Sequence, residues 1–528
     1  MWKCGNVEQP VLKSKNISFF KIPHFIYSKF AYVANFLYLC SQMWSLLAIF
    51  FLQFANKAGS DSIALSHTAI EMRQERGIAI DSLDYAVSPI YLDSIRTLGA
   101  EILHTSRWMN GATVKANNEV ISTIEKCTFV DTVYVTRNEV QEFRSSGVQE
   151  FRSSGVQELR CSGVTSEPSE HLNSSFAASE PQLSQLNLLA LHQEGYKGKG
   201  IRIGVADGGF YNANTLASLP REQWLGYADL TDDPQDFFSP EGNHGTLCLS
   251  AIVGQQDNYQ GAAIDAQYFL FRTEEHQTES PKEIDNWVAA IEMADSLGLH
   301  IVSTSLGYST FDHTPMDFAY ADMDGRTSRG AQASLIAARK GMLLVTAMGN
   351  EGTTAWHYLS TPADADSILS VGAVNAQGEI AAFSSYGPSA DGRVKPEVCA
   401  MGAGTALISP ANNEVIHGNG TSFACPLIAG MAACLWSALP QATNMEIREM
   451  IIRSCNQYDQ PHEQYGYGIP DAWLAYTHST LNSQLSTFNF QLSTLNTKIL
   501  HNGQIYILHN GQVYDILGNY IAPKLLNY

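Results

Sequence analysis

HGNGTSFACPLIAG, His417–Gly430, joins a small glycine-rich loop to an apolar segment that runs on to about Leu439. From Ser422 onward the residues are apolar on nearly every side of a helix, the pattern of a helix buried in the middle of a domain. Ser422 therefore falls at the N-terminus of a buried helix. Free backbone N–H groups and the positive end of the helix dipole gather there, and both favour negative charge developing beside its hydroxyl. Gly420 lets another chain come close, and Pro426 falls in the first turn, where its missing donor costs little. Taken alone, Ser422 reads just as well as an ordinary helix cap, so the rest of the chain has to decide.

Outward from this stretch, Gln182–Tyr476 alternates strand and helix. Ile201–Ala206, His300–Ser305, Met342–Ala347 and Ile368–Val374 read as strands. Pro281–Leu297 and Ser328–Lys340 read as helices, the first with Ile284, Trp287, Val288, Ile291, Ala294 and Leu297 at helical spacing. This alternation argues for an α/β domain of three layers, a mainly parallel sheet covered by helices on both faces. In such sheets ligands bind beyond the carboxyl ends of the strands, where Asp207, Ser305 and Asn350 all fall.

Three motifs turn Ser422 into more than a cap. VADGG puts Asp207 at a strand end, GNHGTLCLS puts His244 at a helix start, and VTAMGNEG puts Asn350 directly after a strand. Amide hydrolysis needs a nucleophile, a base, a carboxylate that orients the base and a donor for the oxyanion; these stretches supply one of each. The order Asp, His, Ser, with flanks DGG, HGT, GN before EG, and GTSFACP, resembles the subtilisin-like serine peptidases. The resemblance covers roughly Leu186–Tyr476 and includes SLGY at Ser305–Tyr308 and FSSYGPSADGRVKPEVCAMG at Phe383–Gly402. It implies Ser422 as nucleophile, His244 as general base, Asp207 as its orienting carboxylate, Asn350 as oxyanion donor, and Ser305, Leu306 and Gly307 as the strand that pairs with substrate. The chain departs from the family's usual wording at Phe423 and Cys425, at LCLS after HGT, and at Gly208 after Asp207; none of these removes a catalytic group.

The flanks divide the remainder. Residues 1–60 carry an uncharged apolar run from Ala31 to Ala55, densest over Trp44–Phe54, expected as a signal peptide cleaved near Ala58–Ser60 or an uncleaved membrane anchor. Residues 61–139 read as a small α+β domain without chemistry of its own. Residues 140–180 hold VQEFRSSG-type units of eight, a linker in which Arg144, Arg152 and Arg160 offer processing points. The peptidase domain is placed at 181–477 and a second low-complexity linker at 478–498. Residues 499–528, with Asn502-Gly503 and Asn510-Gly511 as turns, read as short β-hairpins. DGGF, YADMDG and SRW at Ser106–Trp108 look most like secreted subtilisin-like peptidases of the Bacteroidota. That resemblance implies that residues 61–139 are an inhibitory propeptide and that the hairpins are a sorting tail.

A formal net charge of −20 argues against nucleic acid as a partner and suits an exported protein. Protein or peptide substrates and the chain's own propeptide are the expected partners, with membrane contact only through the N-terminal segment. Nine cysteines show no metal-ligand spacing, and Cys425 and Cys434 read as small core residues. No metal site is read and no cofactor is required. Related enzymes often bind calcium, but Asp322 and Asp324 in YADMDG make no full ligand set and default to a solvated acidic turn. The resulting expectation is an exported serine endopeptidase made as a zymogen. The alternatives are a catalytically silent surface-binding module of the same fold and a maturase with one dedicated substrate.

Overall fold

The computed structural model describes residues 47–57, 62–137 and 176–479, and the tail segments 498–501, 504–509, 512–514 and 520–521. The two low-complexity linkers therefore lie almost wholly outside the described residues.

The first domain runs β1 (Leu47–Phe54), α1 (His67–Glu75), α2 (Pro89–Thr97), β2 (Glu101–Ser106), β3 (Gly111–Asn117), α3 (Asn118–Ile124) and β4 (Val130–Arg137), with sheet order β2-β3-β1-β4. Side-chain caps start two of the helices: Ser66 Oγ accepts the Ala69 N–H at 3.2 Å and Asn117 Oδ1 the Val120 N–H at 2.9 Å.

This domain begins earlier than residue 61, which corrects the reading of Trp44–Phe54 as the heart of a membrane segment. Leu47–Phe54 is an interior strand of the sheet. Ala48, Phe50, Leu52 and Phe54 pack with Ile95, Ile121 and Ile124 in the domain's own core, while Phe51 points the other way into the neighbouring domain. A strand covered on both faces reads as an unbroken apolar run, and hydropathy alone does not separate it from a membrane segment.

The second domain opens with α4 (Glu180–Gln185) and α5 (Leu188–Gln193), followed by β5 (Arg202–Asp207), β6 (Trp224–Asp229) and α6 (His244–Val253). A small hairpin, β7 (Gln255–Gln256) and β8 (Tyr259–Gln260), leads to β9 (Gln267–Arg272), α7 (Lys282–Leu297), β10 (Ile301–Thr304), α8 (Arg329–Arg339), β11 (Leu343–Ala347), β12 (Leu369–Val374) and β13 (Val398–Met401). A second hairpin, β14 (Ala403–Ile408) and β15 (Val415–Asn419), precedes α9 (Thr421–Ala438) and α10 (Asn444–Arg453). Ordered structure starts a few residues before the expected boundary at 181. Ser179 is fully buried and its Oγ accepts the Gln260 N–H at 2.8 Å.

The large sheet is parallel, in the order β13-β12-β11-β10-β5-β9-β6. Alternation along its strands builds the three layers. Ile301, Leu343 and Val345 join α6 and α9 residues in one apolar cluster, and Val302 and Leu344 join α7 and α8 residues in the other. The described helix long and apolar enough to cross a membrane is α9 itself, with 89% of that window buried inside the domain.

The first domain sits on α7. Phe51, Trp108 and Met109 belong to the same apolar cluster as Ile284, Trp287 and Ile291. Around it, Arg73 Nη2 and Arg107 Nη2 reach Asp295 Oδ2 at 2.6 and 2.5 Å, Arg73 and Lys340 both pair with Asp84, and Glu292 accepts the Ser106 hydroxyl at 2.5 Å and the Arg107 N–H at 2.9 Å. In the tail, β16 (Lys498–His501), β17 (Gln504–His509), β18 (Gln512–Tyr514) and β19 (Tyr520–Ile521) pair antiparallel in succession, as the Asn-Gly signals predicted.

Candidate active site

Five strand or helix ends deliver polar groups to one rim of the parallel sheet. Asp207 ends β5, Ser305 follows β10, Asn350 follows β11 by three residues, and His244 and Ser422 are the first and second residues of α6 and α9.

His244 Nδ1 lies 2.8 Å from Asp207 Oδ1 and 3.0 Å from Oδ2, and Oδ1 also accepts the Gly208 N–H at 2.8 Å. The Asp207 side chain is 1% exposed and the imidazole 25%, so the pair is buried at the carboxylate and open at the ring. Burial disfavours the imidazolium, but the Asp207 carboxylate outweighs it and holds the His244 pKa well above its ordinary value. The approach of α6 to β5 needs a glycine after the histidine. A Cβ on Gly245 would meet Gly209 O at 2.5 Å and Asp207 Cβ at 2.9 Å.

Two residues outside the expected set frame the imidazole. Cys248, one turn along α6, places Sγ 3.8 Å from His244 Nδ1 and 3.4 Å from the Ser422 carbonyl. Burial pushes its thiol pKa up. Its i+4 spacing from His244 was a usable signal. The Phe423 ring packs against the imidazole at 5.6 Å between centroids, so the departure from the family's wording here is a wall beside the base.

Pro426 is not in the first turn of α9 but lies inside the helix, five residues after its first residue, Thr421. With no N–H of its own, it leaves the Ser422 carbonyl without a helical partner. That carbonyl accepts instead from Ser305 Oγ at 2.8 Å, with Cys248 Sγ behind it. Ser305 thus anchors the Ser422 peptide. The Ser422 side chain, in an 8% exposed residue, donates weakly to the Ser305 carbonyl at 3.4 Å, and among the described residues it makes no hydrogen bond to His244.

Asn350 is oriented by a residue that sequence reasoning passed over. Its Oδ1 accepts from the Thr421 N–H at 2.9 Å and the Thr421 hydroxyl at 3.0 Å. This turns Nδ2 toward Gly420, where a built Cβ would lie 3.8 Å from it. The Ser422 N–H falls in the first turn of α9, where no helix carbonyl accepts it. The same built Cβ would lie 3.6 Å from the Ser422 nitrogen and 3.7 Å from its Cβ, so both donors border the Gly420 backbone beside the Ser422 side chain. Leu306 and Gly307 extend beyond the end of β10 with no ladder partner. Gly307 backs closely onto Ser360, whose Cβ would be 2.9 Å from a built Cβ.

Asp322 and Asp324 flank Met323, which is buried with Met348, Leu359 and Ala363. Asp322 Oδ2 accepts the Ala319 N–H at 2.8 Å, and Asp324 Oδ1 accepts the Arg326 and Thr327 N–H groups at 2.8 Å. These carboxylates cap their own turns, and neither belongs to a cluster of metal-ligating side chains among the described residues. Cys425 and Cys434 are buried and donate to the Val345 and Ala262 carbonyls at 3.3 and 3.1 Å, as small core residues do.

Comparison with known proteins gives the family. Residues 198–468, just over half the chain, match the model of the subtilase family (peptidase S8), and residues 50–151 match the peptidase S8 propeptide domain of Bacteroidota. The chain belongs to the subtilase family: it is a serine-type endopeptidase made with a propeptide, and its partners are protein substrates and that propeptide. It is 28% identical over 293 residues to the thermostable alkaline protease of Halalkalibacterium halodurans, covering 56% of this chain and 72% of that protein. Subtilisin E of Bacillus subtilis is 26% identical over 304 residues, covering 57% and 72%. Among solved structures, MycP1 from Mycobacterium smegmatis is similar with a TM-score of 0.45 at 20% identity, over 58% of this chain and 86% of that one. The propeptide match begins at residue 50, inside β1, in line with the earlier start of that domain.

Proposed function

We propose that the chain is an exported endopeptidase that hydrolyses peptide bonds through Ser422, His244 and Asp207 by way of an acyl-enzyme. The observation that carries this reading is the Asp207–His244 pair at 2.8 Å beside a serine at a helix start, with the Asn350 amide turned toward the same point. Ser422 Oγ leaves the Ser305 carbonyl by rotation about its Cα–Cβ bond and attacks the scissile carbonyl. His244 Nε2 takes its proton and returns it to the leaving amine, and Asp207 steadies the imidazolium between these steps. Asn350 Nδ2 and the Ser422 N–H hold the oxyanion. Leu306 and Gly307 pair with the substrate backbone as an added strand, with Ser305 fixing their near end. No redox or organic cofactor enters this chemistry.

The propeptide seated on α7 makes the product a zymogen. Export is supported by the Bacteroidota-type propeptide, and the tail hairpins suit a sorting signal at the cell surface. Expression of the chain with and without Ser422→Ala, followed by comparison of product masses, tests the reading. The wild type resolves into propeptide and mature domain while the variant stays at full length. Identical cleavage of both chains would overturn it.

A further inference from the structure

We propose that Glu274 is a positioning residue for the substrate strand, acting through Tyr308; the inference rests on the peptidase reading above. β5, which ends in Asp207, lies between β9 and β10 in the sheet. Glu274 follows β9 and Tyr308 follows β10. The Tyr308 hydroxyl donates to Glu274 Oε1 at 2.7 Å, and the Thr273 hydroxyl donates to the same oxygen at 2.8 Å. The link crosses over the end of β5. The Thr273 N–H donates to the Asp207 carbonyl at 3.2 Å, and a Cβ built on Gly208 would lie 3.6 Å from Glu274 Cβ and 3.7 Å from its Cγ. Gly208, with no side chain of its own, lies under the stem of Glu274. The bridge therefore ties both neighbours of the Asp207 strand together at the rim where the chemistry takes place.

Its mechanical consequence falls on Ser305–Gly307. Their near end is held by the Ser305 hydroxyl on the Ser422 carbonyl. Their far end is held by Tyr308, which is 1% exposed and exchanges backbone hydrogen bonds with Thr361 at 2.8 and 3.1 Å. The hydroxyl bond to Glu274 is the remaining tether and the one that crosses from β10 toward β9. A substrate strand pairing with Leu306 and Gly307 reads a register set by both ends. Loss of the tether lets that edge shift without touching Asp207, His244 or Ser422. Burial pushes the Glu274 carboxyl up to about 7, with Asp207 and Glu275 adding like charge. Glu279 and Glu283 crowd it from the α7 side. Because the Tyr308 bond needs only an acceptor oxygen, a neutral amide can serve in place of the carboxylate.

The test compares two substrates with the same residue at the scissile bond on the self-processed enzyme: an N-succinyl tetrapeptide p-nitroanilide, long enough to pair with the strand, and an N-acetyl amino-acid thiobenzyl ester, which is not. Tyr308→Phe and Glu274→Ala are expected to lower kcat/KM on the tetrapeptide about tenfold, chiefly through KM, and on the ester by less than about twofold. Glu274→Gln, which keeps the acceptor, stays within about twofold of wild type on both. Equal losses on the two substrates, no loss on either, or a Gln variant as impaired as the Ala variant would each overturn the inference. Wild type inactive on both substrates would overturn the peptidase reading itself.

Discussion

Asp207 and Asp295 have side chains almost fully removed from water, 1% and 4% exposed, and each meets a positively charged or protonatable partner at hydrogen-bond distance. The partners differ. Asp207 is matched by one imidazole, a quarter exposed and able to lose its proton. Asp295 is matched by two guanidinium groups, Arg73 and Arg107, which stay protonated at any working pH. On the proposed mechanism the first pair changes charge state during turnover. The second is built to stay charged, and it joins two domains that must later separate. A buried carboxylate thus serves catalysis or cohesion according to whether its partner can titrate.

Asp207→Asn should give the largest effect of the two that break this contrast. An amide holds the imidazole in place but no longer favours the right tautomer or the cation, and turnover should fall about 10⁴-fold. The same variant carries a pH signature. His244 must be unprotonated to accept the Ser422 proton, and Asp207 holds its pKa above 6.5, so wild-type kcat/KM falls as pH drops through that raised value. In Asp207→Asn the residual activity should lose its acid limb at a lower pH. A pH–rate profile checks both statements, and an unmoved limb would mean that Asp207 does not set the charge of His244.

At the interface, Arg107→Met should have a smaller effect and a different kind of rescue. Removing Arg107 leaves Asp295 with Arg73 alone and Glu292 with no guanidinium, a partial loss of a buried ion network whose cost falls toward the lower end of about 3–5 kcal/mol. The cleaved propeptide should then dissociate from the mature domain at concentrations two to three orders of magnitude higher, read by calorimetry or by gel filtration on dilution. Adding Asp295→Leu should recover part of that affinity, because the Arg107–Asp295 pair is then exchanged for apolar groups while Arg73 keeps its pair with Asp84. No apolar exchange at Asp207 and His244 would restore turnover. Rescue at the interface and its failure at the site would together establish that the two pairs do different work.

Much of this could be read from residues. α9 declared itself by being apolar all round over 18 residues, and β5, β10, β11 and β12 by short apolar runs between turn signals. The four candidate positions stood out because each motif combines a chemical group with a neighbouring glycine, as Gly245 stands beside His244. β1 was misread because LAIFFLQF is as apolar as a membrane segment, and only the second layer on each face explains why. Asn350 was found, but its orienting partner Thr421 is 71 residues away, and Glu274 and Tyr308 are 34 apart. Nothing in local pattern announces a contact of that kind. The place of Pro426 was likewise missed by one turn, and with it the reason that Ser305 faces the Ser422 carbonyl.

In the proposed mechanism Ser422 is the one hydroxyl made reactive by His244. The most direct measurement is active-site labelling with a fluorophosphonate on the self-processed enzyme, with peptide mass mapping of the adduct. A single adduct on Ser422 is expected, absent from Asp207→Asn and His244→Ala mature domains freed of the propeptide and labelled for the same time. A folded wild type that takes up no label, or an adduct on any other serine, would contradict it.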